Sequence, residues 1–235
     1  MKWTTKLPRI LPRLPAIVMA VMLLIIAIGM AKSAVAIRYS EKADAIMLGW
    51  SQQDRSARPA NHEIEYVRKL LNRSIRLDSS NTTHYERLTQ FHLWELTVAA
   101  DGEDEGKRRR IQTQGLLAAR ESVNRRPAWP MAWLRLLVWK AEFNEVDAEF
   151  HQALKRCTTV GQWQYNLHSL ILRTTLPLWD KLGPEDREIL LQTGLRGLRQ
   201  SPDSVKTILE RFGRLSDVCR SAQSAGLSLQ PYCQP

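Results

Sequence analysis

The sequence predicts an all-α protein: an N-terminal transmembrane helix followed by a helical-repeat domain. Three observations carry this expectation. An uninterrupted apolar run begins at Pro15; beyond it, apolar residues recur three and four positions apart with hardly any alternating stretch; and Pro, Gly and acidic residues punctuate those runs where helices stop and start.

The first element is the membrane span, placed at residues 15–37. From Pro15 to Ala31 no charged or polar residue interrupts the run, and after Lys32 and Ser33 it resumes with Ala34, Val35, Ala36 and Ile37. A span needs about 20 apolar residues, and Lys32 can carry its amine to the interface along its alkyl stem. Lys2, Lys6, Arg9 and Arg13 precede the run without an acidic residue among them, whereas Lys32, Arg38 and Lys42 mix with Glu41 and Asp44 after it. That bias places residues 1–14 in the cytoplasm and the rest of the chain outside it, which in a bacterium is the periplasm. A signal peptide cut after Ala36 is the alternative, since Ala34-Val35-Ala36 has the small-residue pattern; the apolar run exceeds the roughly 7 to 15 residues usual for such a leader.

Charge excludes one function class. The formal net charge is +10, but five of the 34 Lys and Arg precede residue 38 while all 24 acidic residues follow it, which leaves a net +5 beyond the span. Nucleic-acid partners call for basic charge concentrated on one face or motif. The run Lys107 to Arg110 follows Asp101, Glu103, Asp104 and Glu105 and reads as a charge-compensated loop.

The helical domain is expected over residues 38–220, as one soluble unit, with an irregular tail over 221–235. Its helices are a first over 41–56; a second from His62 to Leu77 with Ile64, Val67, Leu70 and Leu71 inward; and a third carrying Tyr85, Leu88, Phe91, Trp94 and Leu96. A fourth runs from Arg109 to Asn124. Pro127 and Pro130 bracket the next junction, followed by a face of Trp133, Leu136, Leu137 and Ala141 and a partner helix with Ala148, Ala153 and Leu154. Leu167 to Leu178 is a helix that Pro177 must kink or end. Gly183-Pro184 with Glu185 and Asp186 is a stop and a start, and Ser201-Pro202-Asp203 opens a last helix with Val205, Ile208, Leu209, Phe212 and Leu215 inside.

Three cysteines are present. Cys219 and Cys233 are candidates for a disulfide closing a C-terminal loop of about 15 residues, which gives roughly 3 kcal/mol in the chain-entropy model; Cys157 reads as a buried thiol. No Cys or His spacing calls for a metal. His62, His84, His92, His151 and His168 are scattered among the helices, and no nucleophile elbow, phosphate-binding loop or dinucleotide fingerprint occurs. The expectation is a protein that is not an enzyme and takes no cofactor. Trp129, Trp133, Trp139 and Trp163 cluster mid-chain, where core packing between helices competes with stacking on sugar rings.

Paired helices with Pro near the pair ends follow the logic of a solenoid. The stretch Leu117, Ala118, Ala119, Ser122, then Arg126-Pro127, then Trp129 and Trp133 resembles a tetratricopeptide-repeat boundary, and Pro127 to Gly161 matches that repeat's period. Arg126-Pro127-Ala128-Trp129-Pro130 with Trp133, Asp147-Ala148-Glu149-Phe150 with Ala153-Leu154, Trp163, and the helix ending Gly194 to Leu198 resemble the VpsP-type polysaccharide biosynthesis proteins. The resemblance covers chiefly residues 110–200. It implies a non-catalytic accessory or scaffold protein of exopolysaccharide synthesis or export at the bacterial inner membrane, with membrane lipid and polysaccharide synthesis or export proteins as partners. Trp129, Trp133, Asp147, Phe150 and Trp163 are then the candidates for partner or glycan contact. A general periplasmic adaptor for envelope assembly or secretion, and a glycan-binding protein, are the alternatives.

Overall fold

The computed structural model describes residues 14–52, 59–99, 105–227, 229 and 232–233. All regular structure among them is helical. The chain divides into two compact units, residues 1–84 and 85–235, in place of the single soluble unit expected.

In the first unit the expected span and the expected helix at 41–56 are one helix, α1 (Leu14–Gln52), of 39 residues. No proline or turn signal separates them, so the hydrogen-bond ladder runs on for about 58 Å at 1.5 Å per residue. Up to Lys32 the helix is exposed on all sides, with Ile17, Leu24 and Met30 open. From there one face is packed: Ala36, Ser40, Ala43 and Met47 are buried at alternating spacings of four and three. They meet Val67, Leu70, Leu71 and Ser74 of α2 (Asn61–Leu77).

The hairpin is antiparallel, and small residues on α1 bring the backbones close. Lys42 lies over the Tyr66 ring, Arg73 over the Tyr39 ring, and Ser33 Oγ donates to Asp78 Oδ2 at 2.7 Å. That bond, with help from Ser80, holds the Asp78 carboxyl below its ordinary range. The exposed apolar part of α1 therefore ends near Lys32, and the expected boundary at 37 lies inside the packed half. α1 remains long and apolar enough to cross a membrane. Lys2, Lys6, Arg9 and Arg13, which carry the expected orientation, lie outside the described residues.

The second unit begins inside the first turn of α3 (Thr82–Ala99) and continues through α4 (Glu105–Arg125), α5 (Pro130–Glu142), α6 (Ala148–Val160) and α7 (Tyr165–Thr175). A 3-10 turn (Leu176–Lys181) follows, then α8 (Pro184–Gln200), α9 (Pro202–Arg211) and α10 (Leu215–Ser224). Asp101, Glu103 and Asp104 of the expected acidic loop lie outside the described residues. Proline occupies the first turn of α5, α8 and α9, where its missing N–H costs nothing. Helices pack on chain neighbours, α4 on α5, α5 on α6, α7 on α8 and α8 on α9, and on the helix after next, α5 on α7, α6 on α8, α7 on α9 and α8 on α10. The core they enclose is built on Leu137, Trp139, Phe150, Leu154, Ile171, Leu172, Leu190 and Leu198.

Three boundaries differ from the expectation, each for a local reason. α7 stops at Thr175 rather than Leu178, and of the two effects expected of Pro177 the structure shows the second: it sits in the 3-10 turn that ends the helix. The expected last helix is two, α9 and α10, because Gly213 takes a left-handed φ of 64° and lets Arg214 N–H return to Leu209 O at 2.8 Å. α10 also runs past residue 221 into the expected tail, which is tied back by a disulfide between Cys219 and Cys233, their Cα atoms 5.5 Å apart. Cys157 is buried and free, and burial alone pushes its thiol far up.

Candidate functional site

The five residues named as contacts from the sequence separate into different roles. Phe150 is fully buried in the core, and Trp133 is buried with its indole N–H donated to Pro127 O at 2.7 Å. Both are packing residues, a correction of the contact role that the resemblance implied for them. Asp147 caps α6, accepting from Phe150 N–H at 3.0 Å, and pairs with Lys140. Trp129 is half-buried at the start of α5, with the Arg126 guanidinium 5.2 Å from its ring centroid. Trp163 alone of the five stands open, 80% exposed in the turn between α6 and α7.

Around Asp147 the chain assembles an ionic network. Lys140, 3% exposed, places Nζ 2.6 Å from Glu145 and from Asp147 and 3.4 Å from Glu149. Glu149 is held bidentately by Arg120, at 2.7 Å to each oxygen, and Gln112 Nε2 donates to Glu145 at 2.9 Å. Burial disfavours the Lys140 charge, but hydrogen bonds to Asp147 and Glu145 outweigh it and hold the ammonium above its ordinary pKa. Burial raises Asp147, and Lys140 with the Phe150 N–H outweighs that and leaves it low; Glu149 is lowered chiefly by Arg120. The network joins α4, α5 and α6, and its groups are engaged with one another, so it reads as structure.

The histidines do not gather. His92 Nδ1 meets Glu95 Oε2 at 2.7 Å within α3, His151 on α6 meets the buried Asp186 of α8 at 2.5 Å, and burial lowers the pKa of His168. Among the described residues no three His, Cys, Asp or Glu side chains converge to hold a metal.

A better candidate for a binding site is an open groove of about 650 Å³ between α8 and α10, with Trp179 of the 3-10 turn at one side. Guanidinium groups cover Trp179: Arg214 at 4.4 Å and Arg187 at 5.4 Å from the ring centroid, with Arg187 Nε donating to Trp179 O at 3.2 Å. Asp217 takes Arg214 at 3.2 Å and Arg220 at 3.5 Å. Among the described residues Arg187 forms no ion pair, and Gln192, Ser221 and Ser224 add neutral polar groups along the groove. The groove lining is charge-balanced, Arg187 and Arg220 against Glu188 and Asp217, with Arg214 covering Trp179 beside it. An aromatic ring beside guanidinium and carboxylate groups suits a ligand with a flat or extended polar face.

Sequence reasoning missed this groove. Trp179 stands eight positions from Arg187 and far from Arg214 and Arg220, and no local spacing joins residues that only helix packing brings together. No family model and no curated protein matches the chain.

Proposed function

We propose that this chain is a non-catalytic accessory protein of exopolysaccharide synthesis or export, held at the bacterial inner membrane by α1 with its helical units in the periplasm. The observation that carries the positional part is α1 itself. A fully exposed apolar stretch passes without a break into a packed hairpin, so the anchor is a rigid extension of a folded unit. The Cys219–Cys233 disulfide fits an oxidising compartment. Packing on the next helix and on the one after supports a tetratricopeptide-like array. The link to polysaccharide rests on the resemblance to VpsP-type proteins over residues 110–200.

Deleting the gene in its native host, with complementation by the full chain and by a chain starting at Ser33, tests the proposal. Secreted and surface polymer is expected to fall on deletion, and only the anchored form is expected to restore it. Unchanged polymer while the gene is expressed sinks the reading and favours a general envelope adaptor.

A second reading, direct binding of a glycan, is favoured by the groove of aromatic and charged groups at Trp179. Titrating the detergent-solubilised full chain with uronate oligosaccharides is expected to change tryptophan emission, and Arg187→Ala is expected to weaken that binding about tenfold. An equal response from the variant rejects the groove as the glycan site.

A further inference from the structure

The most exposed aromatic side chains of the second unit lie together in the α6–α7 turn: Trp163, 80% exposed, and Tyr165, 58% exposed, separated and flanked by Gln162, Gln164 and Asn166. The packing of this unit does not use them, and neighbouring exposed aromatic rings form the kind of contiguous apolar patch that marks a contact surface. Trp and Tyr have a preferred environment that is neither core nor bulk water, the headgroup layer of a bilayer, where the ring is sheltered and the polar edge stays hydrated.

The turn is fixed against the start of α5. Cys157 Sγ lies 3.5 Å from Pro130 O, and a Cβ on Gly161 would come within 3.0 Å of the Pro130 Cβ. This end of the unit therefore also carries the α4–α5 turn, with the exposed Arg125 and Arg126. No acidic residue occurs between Glu121 and Glu142 or between Glu149 and Asp180. Of the basic residues near the two turns, Arg125 pairs with Glu121 and Lys155 with Glu185 at 3.1 Å, which leaves Arg126 and Arg156 as the cations without an ion pair among the described residues. The carboxylates that do lie near are engaged, Glu121 by Arg125 at 2.6 Å and Glu86 by the Trp129 indole.

We propose that the end of the second unit formed by the α4–α5 and α6–α7 turns is a peripheral contact for an anionic lipid surface, with Trp163 and Tyr165 entering the headgroup layer and the flanking arginines meeting lipid phosphates. Two aromatic side chains bind a bilayer weakly alone. A chain already tethered by α1 sees the same bilayer at a high effective concentration, so a weak contact is well populated. The proposal rests on α1 anchoring the chain and on nothing about polysaccharide.

The test uses the full chain reconstituted into vesicles of phosphatidylcholine and phosphatidylglycerol in a three-to-one ratio, made with and without brominated acyl chains. Subtracting the emission of Trp163→Phe from that of the unsubstituted chain isolates Trp163, because the other tryptophans cancel. The Trp163 component is expected to lose at least about half its intensity to brominated lipid and to be sheltered from aqueous iodide, as a ring in the interfacial layer would be. In pure phosphatidylcholine both effects are expected to weaken severalfold. A Trp163 component open to iodide and indifferent to brominated lipid overturns the proposal, and equal quenching in pure phosphatidylcholine overturns its charge requirement. Flotation with the vesicles reports the anchor separately, so failure of α1 to insert is distinguishable from failure of the patch to dock.

Discussion

Lys140→Met is expected to lower the stability of the second unit by about 2 to 4 kcal/mol at neutral pH. The methionine keeps most of the volume of a side chain that is 3% exposed, so the loss is electrostatic rather than a cavity. It leaves Glu145, Asp147 and Glu149 facing one another without their shared cation. Removing one partner of a buried pair costs about 3 to 5 kcal/mol, and the partial exposure of the three carboxylates reduces that figure. At roughly 2 to 4 °C per kcal/mol for a domain of this size, Tm should fall by about 5 to 15 °C, measured on the full chain in detergent by near-ultraviolet circular dichroism.

The pH dependence separates this mechanism from a packing defect. Asp147 and Glu149 are depressed in the folded state, so their contribution is present above the ordinary carboxylate value of about 4 and is lost as pH falls through the folded values. Lys140 is raised, so its contribution is present below about 10.4 and lost only as pH climbs through its folded value. The deficit of Lys140→Met is therefore expected to be widest from about pH 5 to 10 and to shrink below pH 4. A deficit that stays undiminished as pH falls below about 4 rules out the ionic account.

Gly115→Ala is expected to cost about 2 kcal/mol net, against the usual direction for a helical glycine. A Cβ built at Gly115 would collide with Cζ2 of Trp139, closer than real atoms approach. Trp139 is fully buried and stacked on Phe143 at 5.8 Å, so it has no free direction in which to yield. Overpacking of this kind costs about 1 to 3 kcal/mol and sometimes more, against a helix-propensity gain of about 1 kcal/mol. Gly49→Ala in α1 is the control. Nothing lies within 4 Å of a Cβ there, so only the propensity gain remains and stability is expected to hold or rise. Equal thermal shifts for the two variants would show that Trp139 does not press on α4.

The helical class and most helix limits were legible because they depend on signals a few residues apart: proline at helix starts, Gly183 before α8, apolar stripes at spacings of three and four. Burial at the five proposed contacts was less legible. Phe150 and Trp133 were contact candidates through the resemblance alone, whereas the apolar stripe that carries Trp133 pointed to the core, where both lie. The Trp179 groove was not legible at all, since it exists only where α8, α10 and the 3-10 turn meet. The merger of the span with the next helix was foreseeable in retrospect: nothing between Ile37 and Glu41 breaks a helix, and the change there is one of solvent exposure.

The Ser33–Asp78 bond fixes where the chain leaves the hairpin. The packed half of α1 runs about 30 Å beyond Ser33 at 1.5 Å per residue, and the 17 residues of α2 descend about 26 Å of it. In the proposed anchored arrangement, the fully exposed stretch of about 26 Å would be slightly shorter than a hydrocarbon core of about 30 Å and would have no surplus length to take up by tilting. The hairpin then stands as a post on the membrane, yet the chain does not exit at its top. It returns to the foot, at Asp78, before anything further is built. The post thus adds height without adding reach: lengthening α1 and α2 together would raise its tip and leave that exit at the headgroups.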